Sequence, residues 1–532
     1  MDSTSAEKAP EAMKATNEEI EHRKEVITAG AKRRGIDDAE QIALFQQFAA
    51  ASPEWHRAMT KKVMRKVDGH LLPMLILMYL LNFLDRNNLS QARLGTLEAD
   101  LNMTGTDFNL ATSILFVGYL LMQLPSNLLL TRVRPSIYLG IAMTIWGVIS
   151  TAQSATKSFG SLVACRFLLG FAEAPFFPGA IFLMSSWYTR GELAHRIAWF
   201  YSGSSLANAF GGLLGAGVLG NLSGAHGIAG WRWLFIIEGS ITVASAILSA
   251  FILPDYPATT RWLTAEERTY AQWRLVEDAG EADAAGASSI KEGVLLAMRD
   301  PRLYLFTLLQ HVSLLSQTFQ YFFPTIVQTL GYGSVVTLLL TAPVWMLAFF
   351  LALGVTYTSG RFRDRSFHII CLTLISMVGN VIVVSTLSTG ARFFALFLLP
   401  LGAVPAYQII IAWVANSFPR PLVKRSACIS FANMIGNTAN IYGPYMYPAT
   451  SGPRYLAGGS ATAGVALLVA FLAVAARLVL QRENKKLAAR EAENNNNDDD
   501  DDDARQQQQR QQQAPEATTA GFTTPVGFRY IL

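Results

Sequence analysis

Charged residues are scarce in this sequence, and the shortage excludes an ordinary soluble protein. Asp, Glu, Lys and Arg make up 15% of the 532 residues, while hydrophobic residues make up 51%. Soluble chains carry about 25% charged residues. Long apolar stretches recur between Leu71 and Leu480, and about 20 such residues in succession let an α-helix cross the hydrocarbon core. The sequence therefore predicts an all-α membrane protein.

Cysteine is also rare, and its placement excludes a disulfide framework. The three cysteines, Cys165, Cys371 and Cys428, fall inside or at the edge of predicted spans, so no external pair is left to form a bridge. The first fifty residues are polar and lack a compact apolar centre. We therefore expect no secretory signal peptide, and we expect the first span to act as the insertion signal.

The sequence lacks the motifs of enzymes and of nucleic-acid-binding proteins. It has no nucleophile elbow, phosphate loop or metal-ligand cluster, and its seven histidines are scattered. It also lacks a basic platform for nucleic acid. We expect no catalytic activity, no cofactor, no metal and no nucleic-acid partner.

Hydropathy, with breaks at proline, glycine and charge clusters, gives six spans before a polar middle segment and six after it. The predicted spans cover residues 71–91, 109–131, 136–154, 160–186, 195–219, 233–253, 303–324, 335–358, 367–387, 392–415, 426–447 and 461–481. This pattern predicts twelve transmembrane helices in two six-helix bundles.

The same pattern divides the chain into five segments. The predicted segments are a partly disordered cytoplasmic segment (1–66), an N-terminal bundle (67–254), a cytoplasmic linker (255–301), a C-terminal bundle (302–482) and a disordered cytoplasmic tail (483–532). The linker contains an amphipathic stretch from Leu263 to Leu275, followed by small residues over 279–289. The tail contains Asn, Asp and Gln runs that cannot bury apolar surface.

The distribution of lysine and arginine predicts the orientation in the membrane, because short cytoplasmic loops carry an excess of them. The cations of the predicted cytoplasmic loops are Lys61, Lys62, Arg65, Lys66, Arg132, Arg134, Arg190, Arg196, Arg361, Arg363, Arg365, Arg420, Lys424 and Arg425. The alternate loops are poor in cations. Both termini are therefore expected in the cytosol.

Four ionisable residues fall inside predicted spans of the first half. Asp85 and Arg86 lie in the first span, and Arg166 and Glu173 lie in the fourth. Each such group costs roughly 2.5 to 3.5 kcal/mol at the bilayer centre, so it normally faces a cavity, pairs, or serves transport. A separation of seven residues places Arg166 and Glu173 on one helix face, about 10 Å apart.

The chemistry of these four residues suggests a division of roles. Arg86 and Arg166 keep their charge and offer planar donors that match a carboxylate substrate. Burial and a neighbouring arginine act in opposite directions on the proton affinity of a carboxyl, so Asp85 and Glu173 are candidates for proton coupling. In the alternative, the charges form static pairs that lock the first and fourth spans, or lie in the headgroup zone.

Weaker polar signals complete the candidate substrate-binding set. The further candidates are Tyr119, Gln123, Gln320, Tyr321 and Asn437. Gln123 recurs with Asn127, and Asn437 with Asn433 and Asn440, at helical spacing. Interhelical hydrogen bonds explain such residues as well as ligand contact does. The glycines of the fifth span, Gly203, Gly211, Gly212, Gly215 and Gly217, are expected to permit close helix contact.

Several motifs carry a resemblance to a known family over nearly all of residues 60–480. They are Lys66-Val-Asp68 leading to Pro73, the Leu80 to Asn88 segment around Asp85 and Arg86, Phe116 to Asn127, Arg166 to Glu173, Trp187 to Glu192, Gly230 to Gly239, and Leu253 to Pro257. Together they resemble the anion:cation symporter family of the major facilitator superfamily, in particular its fungal allantoate-permease branch.

The resemblance implies two six-helix bundles around a central site, alternating access, and proton- or sodium-coupled movement of organic anions such as nicotinate, allantoate or pantothenate. It also implies roles in proton coupling and anion binding for Asp85, Arg86, Arg166 and Glu173. Two loop motifs depart from the superfamily pattern: Thr131 to Arg134 is reduced, and Gly360 stands where Asp is common. We expect rearranged cytoplasmic gating contacts.

The sequence thus predicts a monomeric secondary transporter that carries a small organic anion together with protons. Its expected location is the plasma membrane, with the vacuolar membrane as the alternative. A sensor that retains the transporter fold is the rival function. Titratable acids in both the first and the fourth span favour transport, because a sensor does not need them.

Overall fold

The computed structural model describes residues 39–130, 133–260, 262–283, 290–362, 364–418, 422–499, 517–519, 522–524 and 530–531. The N-terminal segment 1–38 and the loop segments at 131–132 and 284–289, on which some sequence predictions fall, lie outside these residues.

The chain up to residue 260 is helical almost throughout. Its helices are α1 (Ala39–Ala49), α2 (Pro53–Ala92), α3 (Asp107–Leu130), α4 (Pro135–Ala152), α5 (Phe159–Glu173), α6 (Phe176–Ser185), α7 (Arg190–Asn221) and α8 (Gly230–Ile252). The break between α5 and α6 falls at Pro175, whose ring lacks an N–H to donate within the helix. The Ser52 hydroxyl caps α2 by accepting from the Trp55 amide.

The remaining chain adds two linker helices and a second set of long helices. These are α9 (Ala265–Asp283), α10 (Ile290–Arg299), α11 (Pro301–Ser316), α12 (Phe323–Gln328), α13 (Ser334–Phe362), α14 (Ser366–Ser385), α15 (Thr389–Ser417), α16 (Leu422–Asn437) and α17 (Leu456–Asp499). Two three-residue strands, β1 (Ala517–Thr519) and β2 (Phe522–Thr524), pair antiparallel.

The long helices identify a membrane protein. Eight helical stretches of the described chain are long and apolar enough to cross a bilayer: Pro53–Ala92, Pro135–Ala155, Phe159–Ser185, Gly230–Ile252, Ser334–Phe362, Ser366–Ser385, Thr389–Ser417 and Leu456–Ala489. The other four predicted spans coincide with α3, α7, α11 with α12, and α16, which are not among these eight. The all-α membrane fold is confirmed, whereas the count of twelve and the cytoplasmic termini stay predictions.

The predicted linker is anchored to the first half by aromatic packing. Phe48 of α1 stacks on Trp55 at 5.4 Å between ring centroids and meets Tyr270 of α9 edge-on. Tyr270 and Trp273 are fully buried. The amphipathic stretch predicted from Leu263 to Leu275 therefore packs its apolar face against the first half of the chain. Its helix continues beyond this stretch to Asp283.

The tail differs from the sequence prediction. Helix α17 continues to Asp499, past the boundary at 483, and Tyr530 is buried. The Ile531 carbonyl oxygen accepts from Trp413 Nε1 at 2.9 Å, and Asn484 exchanges two hydrogen bonds with the Tyr530 backbone. Tyr530, which follows the Asp and Gln runs, is therefore buried against the C-terminal half. The composition of the tail did not predict this contact.

Glycines bring the two halves together. A Cβ added at Gly212 of α7 would lie 2.2 Å from Thr341 Oγ1 of α13, and one at Gly215 would lie 3.1 Å from Leu338 Cδ1 of α13. The predicted close helix contact is confirmed at these positions, whereas Gly217 has nothing within 4 Å.

Further contacts between the halves lie toward the same, predicted external, side. Asn109 Nδ2 donates to the Pro444 carbonyl oxygen at 2.5 Å, and Ser334 Oγ donates to the Leu94 carbonyl oxygen at 2.7 Å. Together with the α7–α13 crossing, these contacts close the external end of the boundary between the halves.

Candidate functional site

A cavity lies between the two halves, in the middle of the long helices. Its wall combines aromatic rings with amide and hydroxyl side chains. The lining residues are Tyr79, Asn82, Phe83, Arg86, Phe116, Tyr119, Phe177, Tyr201, Ser204, Ser205, Asn208, Leu314, Gln317, Gln320, Tyr321, Trp345, Val404, Tyr407, Gln408, Asn433, Asn437 and Asn440. Arg86 is the one ionised side chain among them, so the cavity suits a mostly flat, polar or aromatic solute with an anionic group.

Five of the predicted site residues line this cavity, and four do not. Arg86, Tyr119, Gln320, Tyr321 and Asn437 are on the wall. Asp85, Gln123, Arg166 and Glu173 are buried in the N-terminal half behind it. The structure therefore separates the predicted residues into a wall that a solute touches and an ionisable layer behind the wall.

Arg86 joins the two layers. Its Nε donates to Glu173 Oε2 at 2.5 Å, and its side chain keeps 11% exposure while that of Glu173 has none. The Arg86 guanidinium also lies over the Tyr119 ring, 4.8 Å from the centroid. The second carboxyl oxygen of Glu173 is buried without a hydrogen-bond partner among the described residues. Among the described residues, Arg86 is thus the cation that forms a salt bridge with Glu173.

Arg166 occupies a different position from the one the sequence suggested. Its Nε, Nη1 and Nη2 donate to the backbone carbonyl oxygens of Ala111, Asp85 and Arg86, at 3.3, 3.4 and 3.1 Å. Its side chain is 1% exposed. The planar fork predicted to clamp a substrate instead ties α5 to the backbone of α2 and α3, because carbonyls left free by neighbouring helices satisfy its donors.

Asp85 is held by two hydroxyl groups rather than by an arginine side chain. Ser150 Oγ of α4 donates to Asp85 Oδ1 at 2.6 Å, and Thr242 Oγ1 of α8 donates to Asp85 Oδ2 at 3.0 Å. These bonds turn Asp85 away from the cavity and toward α4 and α8. The side chains of Asp85 and Arg86, which are adjacent in sequence, therefore point to opposite sides of α2.

The C-terminal wall is built from amides and phenols. Tyr321 donates its hydroxyl to Asn440 Oδ1 at 3.3 Å, and Asn437 Nδ2 donates to the Asn433 carbonyl oxygen at 2.8 Å. Asn433, Asn437 and Asn440 all face the cavity, as their helical spacing indicated. This wall offers donors and acceptors without a fixed charge.

Sequence analysis missed several lining residues. Among them are Tyr79, Asn82, Asn208, Tyr407 and Gln408. The signal was present for Asn82, which lies one turn before Asp85 and Arg86, and for Gln408, an amide within an apolar span. A systematic search for amides inside predicted spans finds both.

Comparison with known proteins places the chain among transporters. Residues 75–444 match the model of the Major Facilitator Superfamily. The MFS-type transporter cnsO of Penicillium expansum is 32% identical over 464 residues, which is 85% of this chain and 89% of that protein. The major facilitator-type transporter hxnP of Emericella nidulans is 34% identical over 438 residues, 80% of this chain and 88% of that protein.

Solved structures show the same fold. A bacterial homologue of the human lysosomal transporter Spinster, in its inward-facing, unoccupied conformation, aligns with a TM-score of 0.60 at 16% identity, covering 77% of this chain and 97% of that one. Its occupied inward-facing form aligns with a TM-score of 0.61.

Proposed function

Because the chain belongs to the Major Facilitator Superfamily of multi-pass membrane transporters, we propose that it carries a small organic anion together with protons by alternating access. The observation that carries this proposal is the Arg86–Glu173 pair, in which a cation on the cavity wall compensates a buried acid. An anion that binds Arg86 competes with Glu173 for the same positive charge.

This competition couples the anion to a proton. With the cavity empty, Arg86 stabilises the Glu173 carboxylate. When an anionic solute neutralises Arg86, the carboxylate in its apolar surroundings loses that compensation and takes up a proton. Binding of either therefore favours binding of the other, and by linkage the effect is reciprocal: acid pH tightens substrate binding.

The cavity wall supports a carboxylate with a planar or aromatic body as substrate. Arg86 supplies charge-assisted donors, and the ring of Tyr119 beneath its guanidinium restricts the approach. The amides of Asn437 and Gln320 contact the rest of the solute. This wall is consistent with the anion:cation symporter family and its allantoate-permease branch, and with acids such as nicotinate, allantoate or pantothenate.

The location and the rival function are further parts of this proposal. We propose the plasma membrane as the location, with the vacuolar membrane as the alternative. A non-transporting sensor has no need of a buried acid that is paired with a cation on the cavity wall. The Glu173 arrangement therefore favours turnover over sensing.

The test is uptake by the purified protein in liposomes against a panel of organic acids. We expect at least one aromatic or heterocyclic carboxylate to accumulate when the outside is acidic, with stoichiometric proton entry reported by an internal pH dye. Accumulation that responds to a sodium gradient and ignores the proton gradient contradicts proton coupling, and binding without counterflow favours the sensor.

A further inference from the structure

Glu238 of α8 is a fully enclosed carboxyl group with no assigned role. Its residue is 1% exposed, and neither side-chain oxygen has a hydrogen-bond partner among the described residues. It lies in the Gly230 to Gly239 motif, away from the cavity wall. A carboxylate without donors or a cation is far costlier to bury than the neutral acid. Glu238 is therefore a protonated acid in this conformation.

The neighbour of Glu238 in this enclosed region is the other predicted coupling acid. Thr242, four residues after Glu238 and thus on the same face of α8, donates its hydroxyl to Asp85 Oδ2 at 3.0 Å. Asp85 is also the titratable group whose charge acts on Glu238. A neutral acid thus lies one helical turn along α8 from the hydroxyl group that binds Asp85.

Among the described residues, helix α4 brings a hydroxyl group rather than a titratable group to this face of α8. Ser150 of α4 donates to Asp85, and Gln153, which follows the end of α4, has amide atoms buried without partners. Arg232, the cation on α8 itself, donates to the Ser154 carbonyl oxygen instead. Arg166 donates to the backbone oxygen of Asp85.

These contacts indicate two proton sites rather than one. We propose that Glu238 is a second proton-binding carboxyl, which exchanges its proton with Asp85 through the space between α2, α4 and α8, outside the substrate cavity. In the forward step the Glu238 O–H bond breaks, a carboxylate oxygen of Asp85 gains the proton, and Glu238 is left as the carboxylate. A proton from the external solution then returns to Glu238, which lies about 12 Å along α8 from its first residue, Gly230.

This inference rests on the proposed proton coupling and extends it. Glu173 binds or releases its proton when a solute binds Arg86. Asp85 and Glu238 form a separate pair of proton sites, which the solute does not contact. Asp85 and Glu238 keep their proton while the anion in the cavity is exchanged. This separation reduces the leak of protons through the substrate path.

Two substitutions of Glu238 separate a proton role from a packing role. Glu238→Gln keeps the size and neutrality of the protonated acid but cannot release a proton, whereas Glu238→Asp is shorter but titrates. A packing role predicts that Gln is tolerated better than Asp. A proton role predicts the reverse order for gradient-driven accumulation.

The experiment compares wild type, Glu238→Gln and Glu238→Asp in liposomes, with one acid that wild type accumulates. We expect Glu238→Gln to keep counterflow within twofold of wild type and to lose at least fivefold in accumulation under an inward proton gradient, and Glu238→Asp to retain more than half of it. Wild-type accumulation in Glu238→Gln overturns the inference, as does loss of counterflow in Glu238→Gln or a lower accumulation in Asp than in Gln. If wild type itself ignores the proton gradient, the proposed function fails and this inference falls with it.

Discussion

Arg86 Nε lies 2.5 Å from Glu173 Oε2, and this pair joins the cavity wall to the interior of the N-terminal half. Arg86 retains contact with the cavity, while Glu173 has none. Anything that changes the charge at Arg86 therefore reaches Glu173 directly. In the proposed mechanism, this pair couples a solute in the cavity to a proton behind its wall.

Replacing Arg166 by lysine is expected to abolish transport and to lower thermal stability. One ammonium nitrogen cannot reach the three separate carbonyl oxygens that the guanidinium contacts. Each lost buried hydrogen bond costs about 1 to 3 kcal/mol, enough to lower the melting temperature in detergent by several degrees. Arg482→Lys, at an exposed position of α17, is the control. If the variant has the melting temperature of wild type but binds substrate weakly, Arg166 binds the substrate directly and the structural role is contradicted.

Gly212→Ala is expected to slow transport by opening the external contact between α7 and α13. Its Cβ would lie 2.2 Å from Thr341 Oγ1 and 2.8 Å from the Leu338 carbonyl oxygen, which is part of the backbone and cannot rotate away. The observed packing of α7 against α13 is thereby disfavoured, and we expect counterflow to fall at least fivefold. Gly217→Ala on the same helix, with nothing within 4 Å, is the matched control and should stay within twofold of wild type. Equal rates in the two variants argue against closure at this crossing.

Glu267 of the linker is expected to make stability pH-dependent in the acid range. Burial raises the pKa of Glu267, but the hydrogen bonds from Lys66, the Thr264 backbone and Lys62 outweigh it and bring the pKa to about 2. Because this pKa lies below that of the unfolded chain, the stabilisation is present above about pH 4.5 and is lost as the pH falls toward 2. We expect the melting temperature of wild type to fall more steeply between pH 5 and pH 3 than that of Glu267→Gln. Parallel slopes contradict the assignment.

Deleting everything after Asn494 is expected to preserve counterflow within twofold while lowering the melting temperature by a few degrees. The deletion removes Tyr530 and Ile531, so Trp413 Nε1 loses its acceptor and Asn484 its two partners. Tyr530→Ala in the full chain separates this docking from the rest of the tail. A truncated protein that melts as wild type does shows that the docked residues contribute no stability.

The sequence located the ionisable residues but not their partners. Asp85, Arg86, Arg166 and Glu173 were identifiable because charge inside an apolar span is costly wherever it occurs. The partners of Arg166 were not, because they are backbone oxygens on helices distant in sequence, and a backbone carries no sequence signal. The docking of Tyr530 was hidden for a similar reason: a single aromatic residue after long polar runs does not alter their composition.

The sequence likewise predicted only some of the residues on the cavity wall. Asn437 and Tyr321 were predicted because polar residues at helical spacing stand out within an apolar span. Tyr407 lies in a span whose hydropathy is high throughout, and its exposure to the cavity depends on how α15 is rotated against α7. Helix rotation follows from packing between the two halves, for which a single sequence holds no pattern.

The most direct test of proton coupling through Glu173 compares wild type with Glu173→Gln in liposomes, using one acid that wild type accumulates. Glutamine imitates the protonated glutamate, so substrate-for-substrate counterflow should persist within a few-fold of wild type. Accumulation under an imposed inward proton gradient should disappear, because the residue can no longer exchange a proton when the anion occupies Arg86. Undiminished gradient-driven accumulation in Glu173→Gln would contradict the coupling of the Arg86–Glu173 pair to the proton.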